Sequence, residues 1–219
     1  MRMIKPARAI VIGGSMSGLF AAHMLRRRGL DVTVCERVES ELAGRGAGIV
    51  AQPVVMRTLQ DLGLDGSGLG VEASRRQVLD AAGRVICEAE CPQTLTAWER
   101  LYRILRDGFP AEHYRRGVAL KSFEQNETGV VAHLADGLRV EADVLVGADG
   151  IRSTVRTQLL PDLSPLYAGY VAWRALLPEA AMARAEKWPS PRGSCAPAMT
   201  RASVTIRPSK PSSVRSRSW

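Results

Sequence analysis

The segment that most constrains the fold reads AIVIGGSMSGLFAAHMLRRRGLDVTVCER and begins at Ala9. Residues 9–12 are a short apolar run that suits a buried parallel strand, and residues 17–28 carry apolar side chains at helical spacing. Arginines and then Gly29 close this helix, because cations offset the helix dipole and glycine adopts the left-handed cap; an anion site there is the weaker alternative. Residues 31–36 form a second apolar strand. The pattern predicts a strand–turn–helix–strand unit and an α/β, Rossmann-like fold.

The turn GGSMSG departs from the G-x-G-x-x-G pattern, since Ser15 stands where a second glycine is expected. A small residue at this position still lets backbone amides approach a pyrophosphate, and the serine hydroxyl can itself donate to a phosphate oxygen. The helix N-terminus that follows favours anions. The alternative is a glycine turn that binds no ligand. The predicted cofactor contacts on this turn are Gly13, Gly14, Ser15, Met16, Ser17 and Gly18.

An acidic residue, Glu36, ends the second strand 23 positions after Gly13. At that place in a dinucleotide-binding unit, a carboxylate accepts hydrogen bonds from a ribose hydroxyl. The same carboxylate repels a 2′-phosphate, so NADP is disfavoured at this turn. Together with the strand and the helix, Glu36 turns a weak glycine motif into a strong prediction of a dinucleotide site.

The basic charge of the chain is concentrated at its C-terminal end. The 219 residues carry a net charge of +8, but residues 189–219 hold six of the 30 basic residues and none of the 22 acidic ones. This Ser/Pro/Arg-rich stretch lacks periodicity and aromatic residues among its cations, so we expect it to be disordered and expect no nucleic-acid partner. The abrupt loss of acidic residues suggests a frameshifted or truncated end after about residue 185.

Other composition features set further expectations. No apolar run is long enough to span a bilayer and no signal peptide is evident, which predicts a cytoplasmic protein without a membrane partner. The cysteine spacing matches no zinc pattern, so no metal site is expected. No catalytic acid or base is predicted, since His23, His113 and His133 each suit structural positions better.

Between residues 43 and 160 the pattern alternates between helices and strands. Ser153 is expected near the N-cap of the last helix, and Trp98, Leu101, Leu105 and Tyr102 on the inner face of the middle one. The predicted elements are a glycine-rich loop (43–53), a helix (54–62), a hairpin (75–89), a helix (96–110), strands (118–123, 130–134, 139–142 and 144–148) and a helix (153–160).

The stretch DVLVGADGIRSTVR, residues 143–156, resembles the second fingerprint of FAD-dependent aromatic-ring monooxygenases. In that family an acidic residue opens a strand, the strand ends in Asp-Gly, and a helix with serine and arginine follows. The matching residues here are Asp143, Asp149, Gly150, Ser153 and Arg156. Taken singly, each suits a turn or a helix cap, but five matches in register favour the resemblance.

Three shorter stretches extend the resemblance. CER (35–37) is similar to the first turn of FAD-binding proteins, GAGIVAQP (46–53) to a loop beside the flavin ring, and YAGYVAWRALLPE (167–179) to the entry of the substrate domain. The resemblance therefore implies FAD as cofactor and NAD(P)H as co-substrate. The further cofactor-binding residues that it implies are Glu36, Arg37, Gly48, Ile49, Asp149 and Gly150.

The resemblance also implies an organisation and an activity. We expect an FAD-binding domain with a β-hairpin and β-meander insertion at 1–165, the start of a truncated substrate domain at 166–188, and a disordered tail at 189–219. The implied reaction uses O2 to hydroxylate a small, electron-rich aromatic or N-heteroaromatic ring. A flavin- or NAD-binding oxidoreductase module without oxygenase activity is the alternative, and the oligomeric state is not predicted.

Two departures from the family pattern are evident. Trp98 stands where many family members carry an arginine that meets the FAD phosphates, and Arg100 and Arg103 are better explained as solvated cations than as replacements. The family's third motif, a Gly-Asp that holds the ribityl chain, is absent from this sequence. We therefore expect weak or no FAD retention and no hydroxylase activity from these 219 residues alone.

Overall fold

The computed structural model describes residues 6–42, 48–80, 84–169, 173–178 and 201–206. Twelve strands and four helices occur within these ranges, together with a short 3-10 turn at Ala111–His113. The strands are β1 (Arg8–Ile12), β2 (Asp31–Glu36), β3 (Gly48–Ala51), β4 (Val71–Leu79), β5 (Val85–Ala97), β6 (Tyr114–Arg116), β7 (Leu120–Asn126), β8 (Gly129–Leu134), β9 (Arg139–Ala142), β10 (Val144–Gly147), β11 (Trp173–Pro178) and β12 (Arg201–Ile206). The helices are α1 (Met16–Arg27), α2 (Pro53–Asp61), α3 (Trp98–Asp107) and α4 (Thr154–Leu159).

A four-stranded parallel sheet in the order β10-β1-β2-β6 forms the centre of the fold. Successive side chains of a strand point to opposite faces, so β1 contributes to two cores. Val11 packs with Leu19 and Leu105 on the helical side, and Ile10 packs with Phe123 on the side covered by the antiparallel β7-β8-β9 sheet. The three layers confirm the predicted α/β, Rossmann-like fold.

A second antiparallel sheet, β3-β5-β4, carries the predicted hairpin. The prediction of a loop at 43–53 is wrong for Gly48–Ala51, which pairs with β5 in the register Gly48↔Ala97 to Ala51↔Thr94. Glycine content favours a loop, but pairing with a strand distant in sequence overrides this local preference. Residues 43–47 lie outside the described residues.

Helix ends follow the predicted chemistry. Gly29 adopts a φ of +85° after the cations of α1, and the Ser153 hydroxyl accepts a hydrogen bond from the Arg156 amide at 2.9 Å. Leu101 and Leu105 of α3 are buried as expected. Gly29 thus ends α1 before β2, and Ser153 begins α4.

The C-terminal region is described only in part. Its backbone forms an antiparallel pair between β11 and β12, in the register Trp173↔Ile206. The stretch expected to be disordered, 189–219, therefore contains one strand, and its remaining residues lie outside the described ones. The predicted start of the substrate domain, 166–188, is described only to residue 169 and in β11. Among the described helices, none has the length and apolarity needed to cross a membrane.

His23 of α1 is buried against α3 and packs in the core. Its Nε2 lies 2.8 Å from the Leu105 carbonyl oxygen, and its ring meets Phe109 edge-on with the centroids 5.3 Å apart. Because a carbonyl only accepts, the imidazole nitrogen donates this hydrogen bond. Burial lowers the pKa of His23; the Leu105 hydrogen bond opposes this in part, and the nearby Arg26 cation adds a smaller lowering effect.

This lowered pKa predicts a loss of stability in acid. The unfolded chain takes up a proton near pH 6.5 while the folded chain resists it, so the contribution of neutral His23 is complete above that pH and is lost as the pH falls below it. We expect His23→Gln to flatten the dependence of the unfolding free energy on pH between 6.5 and 5. Urea unfolding at several pH values measures both slopes, and identical slopes would contradict the prediction.

Candidate functional site

A cleft of about 370 Å³ opens where the carboxyl ends of β1, β2 and β10 meet. Open α/β sheets bind ligands at this end of their strands, at the point where the strand order reverses. The order β10-β1-β2 places this point beside β1. The predicted site residues that line the cleft are Gly13, Ser15, Glu36, Arg37, Asp149 and Gly150.

The first glycine turn touches the second fingerprint directly. Gly13 adopts a φ of +107°, and a Cβ atom at this residue would lie 2.3 Å from the Ala148 carbonyl oxygen and 2.9 Å from the Asp149 amide nitrogen. The Gly13 amide donates to the Cys35 carbonyl at 2.8 Å, which ties the turn to β2 as well. Two motifs more than 130 residues apart in the sequence thus form adjoining walls of one cleft.

The carboxylate of Glu36 is buried and held by backbone amides. Its Oε2 accepts from the Gly14 amide at 2.8 Å, and its Oε1 accepts from the Val38 amide at 2.9 Å. Each carboxylate oxygen keeps a second lone pair for another donor. Glu36 therefore orders the glycine turn itself and remains able to accept a ligand hydroxyl.

The start of α1 offers donors for an anion. Ser15 is the N-cap residue and lines the cleft, while its side chain forms no cap hydrogen bond within the described structure. The first turn of the helix contains no acidic residue, so the positive end of the helix dipole is not neutralised locally. Gly18 lets this turn close, because a Cβ atom there would lie 1.8 Å from the Gly13 carbonyl oxygen. Met16 is half-buried and Ser17 is exposed.

Asp149 has one occupied and one free carboxylate oxygen. Its Oδ2 accepts from the Thr154 amide at 2.7 Å and from the Val155 amide at 3.3 Å at the start of α4. Its Oδ1 is buried and meets no partner among the described residues. A buried acceptor without a partner is costly, so its position in a residue that lines the cleft favours a ligand hydroxyl as the missing donor.

Two residues of the second fingerprint lie away from the cleft lining. The carboxylate of Asp143 accepts from the Arg8 amide at 2.6 Å, at the other end of β10, and so aligns that strand with β1. The guanidinium of Arg156 donates to the Ile151 carbonyl and closes the loop that follows Gly150. Both residues therefore stabilise the fold locally, which is the alternative that the sequence left open for single residues of this motif.

Gly48 and Ile49 belong to β3 and are not part of the cleft lining as described. Ile49 packs against the helical core, and Gly48 pairs with Ala97, directly before Trp98. Their contact with a flavin ring stays a prediction. Trp98 does line the cleft, stacked on Tyr102 with the ring centroids 4.9 Å apart, so a neutral wall stands where the family resemblance implies an arginine.

Sequence reasoning missed other residues that build the site. Arg152 lines the cleft, and its place directly after the Asp-Gly turn was the available signal. Tyr114 lies in strand β6, which was not predicted, and its hydroxyl donates to the Gly14 carbonyl of the glycine turn. No local pattern in the sequence indicates this contact. Cys35 lines the cleft as an inert thiol, because burial raises its pKa to about 11.

These features fit a dinucleotide. The glycine turn leaves room for backbone to approach a diphosphate, the α1 amides offer donors, and two acidic residues offer acceptors for hydroxyl groups. Fold and site together therefore define a dinucleotide-binding α/β domain.

Comparison with known proteins identifies the family. Residues 7–165 match the FAD binding domain family, so the chain belongs to that family and the cofactor is FAD. The chain is 38% identical over 171 residues to 2,6-dihydroxypyridine 3-monooxygenase of Paenarthrobacter nicotinovorans, covering 78% of this chain and 43% of that protein. It is 31% identical over 189 residues to 6-hydroxynicotinate 3-monooxygenase of Pseudomonas fluorescens, covering 80% and 49%.

Solved structures agree with the fold. The structure of 2,6-dihydroxypyridine-3-hydroxylase from Arthrobacter nicotinovorans is 37% identical, with a TM-score of 0.73 over 79% of this chain and 44% of that one. Klebsiella pneumoniae HpxO complexed with FAD and uric acid is 27% identical, with a TM-score of 0.68 over 78% and 46%. The chain thus spans less than half the length of the relatives that it matches.

The double hold on Glu36 predicts the effect of a neutral substitution. Glu36→Gln keeps the shape but turns one acceptor into an amide donor, which leaves the Gly14 or Val38 amide without a partner. We expect the unfolding free energy to fall by about 1–3 kcal/mol. Urea unfolding measures it, and Glu141→Gln on an exposed strand position is the matched control, expected to have no effect. An equal, small effect of both substitutions would contradict the proposed hold.

Proposed function

We propose that this chain is the cofactor-binding part of an FAD-dependent, NAD(P)H-consuming monooxygenase that hydroxylates an electron-rich aromatic or N-heteroaromatic ring. The observation that carries the proposal is the contact of Gly13 with Ala148 and Asp149, which joins both fingerprints of the family at one cleft. Relatives named for acting on dihydroxypyridine and hydroxynicotinate support a nitrogen-containing ring.

Each wall of the cleft has a part in holding the cofactor under this proposal. The amides of the Ser15 turn and the start of α1 bind the diphosphate, Glu36 accepts from a ribose hydroxyl, and Asp149 Oδ1 accepts from a further hydroxyl. Arg37 and Arg152 supply positive charge at the exposed rim. When bound, FAD supplies the redox chemistry, accepting a hydride from NAD(P)H and activating O2, while the protein orients it and excludes water.

We propose that the substrate pocket of such a monooxygenase lies largely outside the half of the relatives' length that this chain matches. The chain covers 43–49% of the two monooxygenases compared above, and the matched family region ends at residue 165. We therefore propose that the 219 residues alone bind FAD weakly and do not hydroxylate. The match of the family to the FAD-binding region also supports a second candidate, a flavin-binding oxidoreductase module without oxygenase activity.

The free thiols suggest the compartment. Within the described part of the chain, Cys35, Cys87 and Cys91 are free thiols. Thiols stay reduced in the cytoplasm, so we infer a cytoplasmic location. The proposed reaction has a small aromatic molecule and O2 as its partners.

Asp149 provides the sharpest test of cofactor binding. Asp149→Ala removes both the contacts to α4 and the buried, unpartnered oxygen Oδ1, whereas Ser153→Ala removes only a cap hydrogen bond of the same helix. We expect both variants to lose about 1 kcal/mol of stability. Only Asp149→Ala should weaken FAD binding, by about tenfold, because the ligand hydroxyl loses its acceptor. A titration of flavin fluorescence anisotropy measures the affinity, and equal affinities of both variants would contradict the assignment.

Activity separates the two candidate functions. We expect the 219-residue chain, saturated with FAD, to show no oxidation of NAD(P)H that depends on an added hydroxypyridine. The same assay on a protein containing the full length of the relatives should show it, with a hydroxylated product detected by mass spectrometry. Oxidation without a hydroxylated product in the longer protein would support the oxidoreductase module instead. Stimulated oxidation by the 219 residues alone would overturn the predicted inactivity.

A further inference from the structure

Gly14, the second glycine of the turn, forms hydrogen bonds with side chains from two neighbouring strands. Its amide donates to Glu36 at the end of β2, and its carbonyl oxygen accepts from the Tyr114 hydroxyl of β6 at 2.9 Å. The register Val34↔Tyr114 brings β6 alongside β2. Val34 and Tyr114 share the helical core, and Glu36, two residues after Val34, points to the same face of the sheet. We propose that Tyr114 is a positioning residue that sets the orientation of the phosphate-binding turn.

The planarity of the peptide bond links Tyr114 to the phosphate. The carbonyl of Gly14 and the amide of Ser15 belong to one peptide unit, and in a trans peptide they point in opposite directions. No peptide bond in the described structure is cis. By holding the carbonyl, Tyr114 turns the Ser15 amide away from itself, towards the side on which Ser15 lines the cleft. The inference rests on the proposed binding of a cofactor diphosphate at that turn.

The contact is specific to the two residues that make it. A Cβ atom at Gly14 would lie 2.2 Å from the Tyr114 hydroxyl oxygen, so a side chain at this position would displace either the ring or the turn. Tyr114 is 6% exposed, and the Arg106 guanidinium lies over its ring at 4.3 Å from the centroid. Burial, the neighbouring Tyr102 hydroxyl and Glu36 all raise the pKa of Tyr114, against the opposing charge of Arg106, so the hydroxyl keeps the proton that it donates.

A second buried tyrosine offers a matched control. Tyr102 of α3 is fully buried, and its hydroxyl neighbours that of Tyr114, but only the Tyr114 hydroxyl donates to the Gly14 carbonyl. Replacing either tyrosine by phenylalanine removes one buried hydroxyl and keeps the ring. Only Tyr114→Phe frees the Gly14 carbonyl, so a difference between the two variants reports the contact and not the loss of a hydroxyl in general.

The experiment compares Tyr114→Phe, Tyr102→Phe and the unaltered chain by two measurements. Amide hydrogen exchange of residues 13–18, without cofactor, should accelerate about 3- to 10-fold in Tyr114→Phe only, the loss expected for one buried hydrogen bond. FAD titration should show an affinity lowered by a similar factor in the same variant. The midpoint of thermal unfolding for both variants shows whether a general loss of stability accounts for either change.

The outcomes separate this inference from the proposed function. Unchanged exchange of the turn in Tyr114→Phe overturns the inference, as does accelerated exchange spread evenly over the whole domain. Faster exchange with unchanged FAD affinity also overturns it, because the turn would then not need this orientation. If the unaltered chain binds no FAD at millimolar cofactor, the proposed cofactor binding by these 219 residues fails, while the exchange of the turn still tests whether Tyr114 orients it.

Discussion

The close approach of Gly13 to the Ala148–Asp149 peptide is the contact on which the site depends. It requires a residue without a side chain in a left-handed conformation, at the carboxyl end of β1. The parallel register, with Ile12 opposite Gly147, brings the two turns to the same height along the sheet. Because the chain goes from β1 to β2 on one side and β10 lies on the other, the cleft forms where the connections diverge. A larger residue at 13 would push apart the walls that bind the ligand.

Placing a buried carboxylate beside a phosphate site raises an electrostatic problem, which the local hydrogen bonds resolve. Glu36 is 6% exposed, and both of its oxygens accept from backbone amides. These donors compensate the lost hydration of the charge, and hydrogen bonds to a charged group are among the stronger ones. Under the proposed function, the acid can therefore stay in place to receive a ribose hydroxyl, while the α1 amides receive the diphosphate. Trp98 contributes a neutral ring to the cleft lining. The cations that line the cleft, Arg37 and Arg152, lie at its exposed rim.

The sequence predicts those parts of the site that depend on local pattern. The strand–turn–helix–strand unit and the Asp-Gly turn have short-range signatures, and the structure brings Glu36 and Asp149 to one cleft. Strand β3 was missed because its pairing partner lies more than 40 residues away, and the Tyr114 contact spans 100 residues. A motif match also does not separate binding from folding, since Asp143 fits the family pattern and serves to align β10 with β1.

The open edge of the central sheet links cofactor retention to stability. Among the described residues, strand β10 forms one edge, and its Val144 (42% exposed) and the neighbouring Leu159 (52%) face solvent. Parallel sheets are ordinarily covered on both faces and at their edges, whereas the part of the chain that the structure describes leaves some of this apolar surface uncovered. A ligand that binds only the folded form stabilises it by about 2.7 kcal/mol at a concentration of 100 times Kd. A loss of FAD affinity would therefore also remove stabilisation from the folded domain, so cofactor binding and folding would decline together.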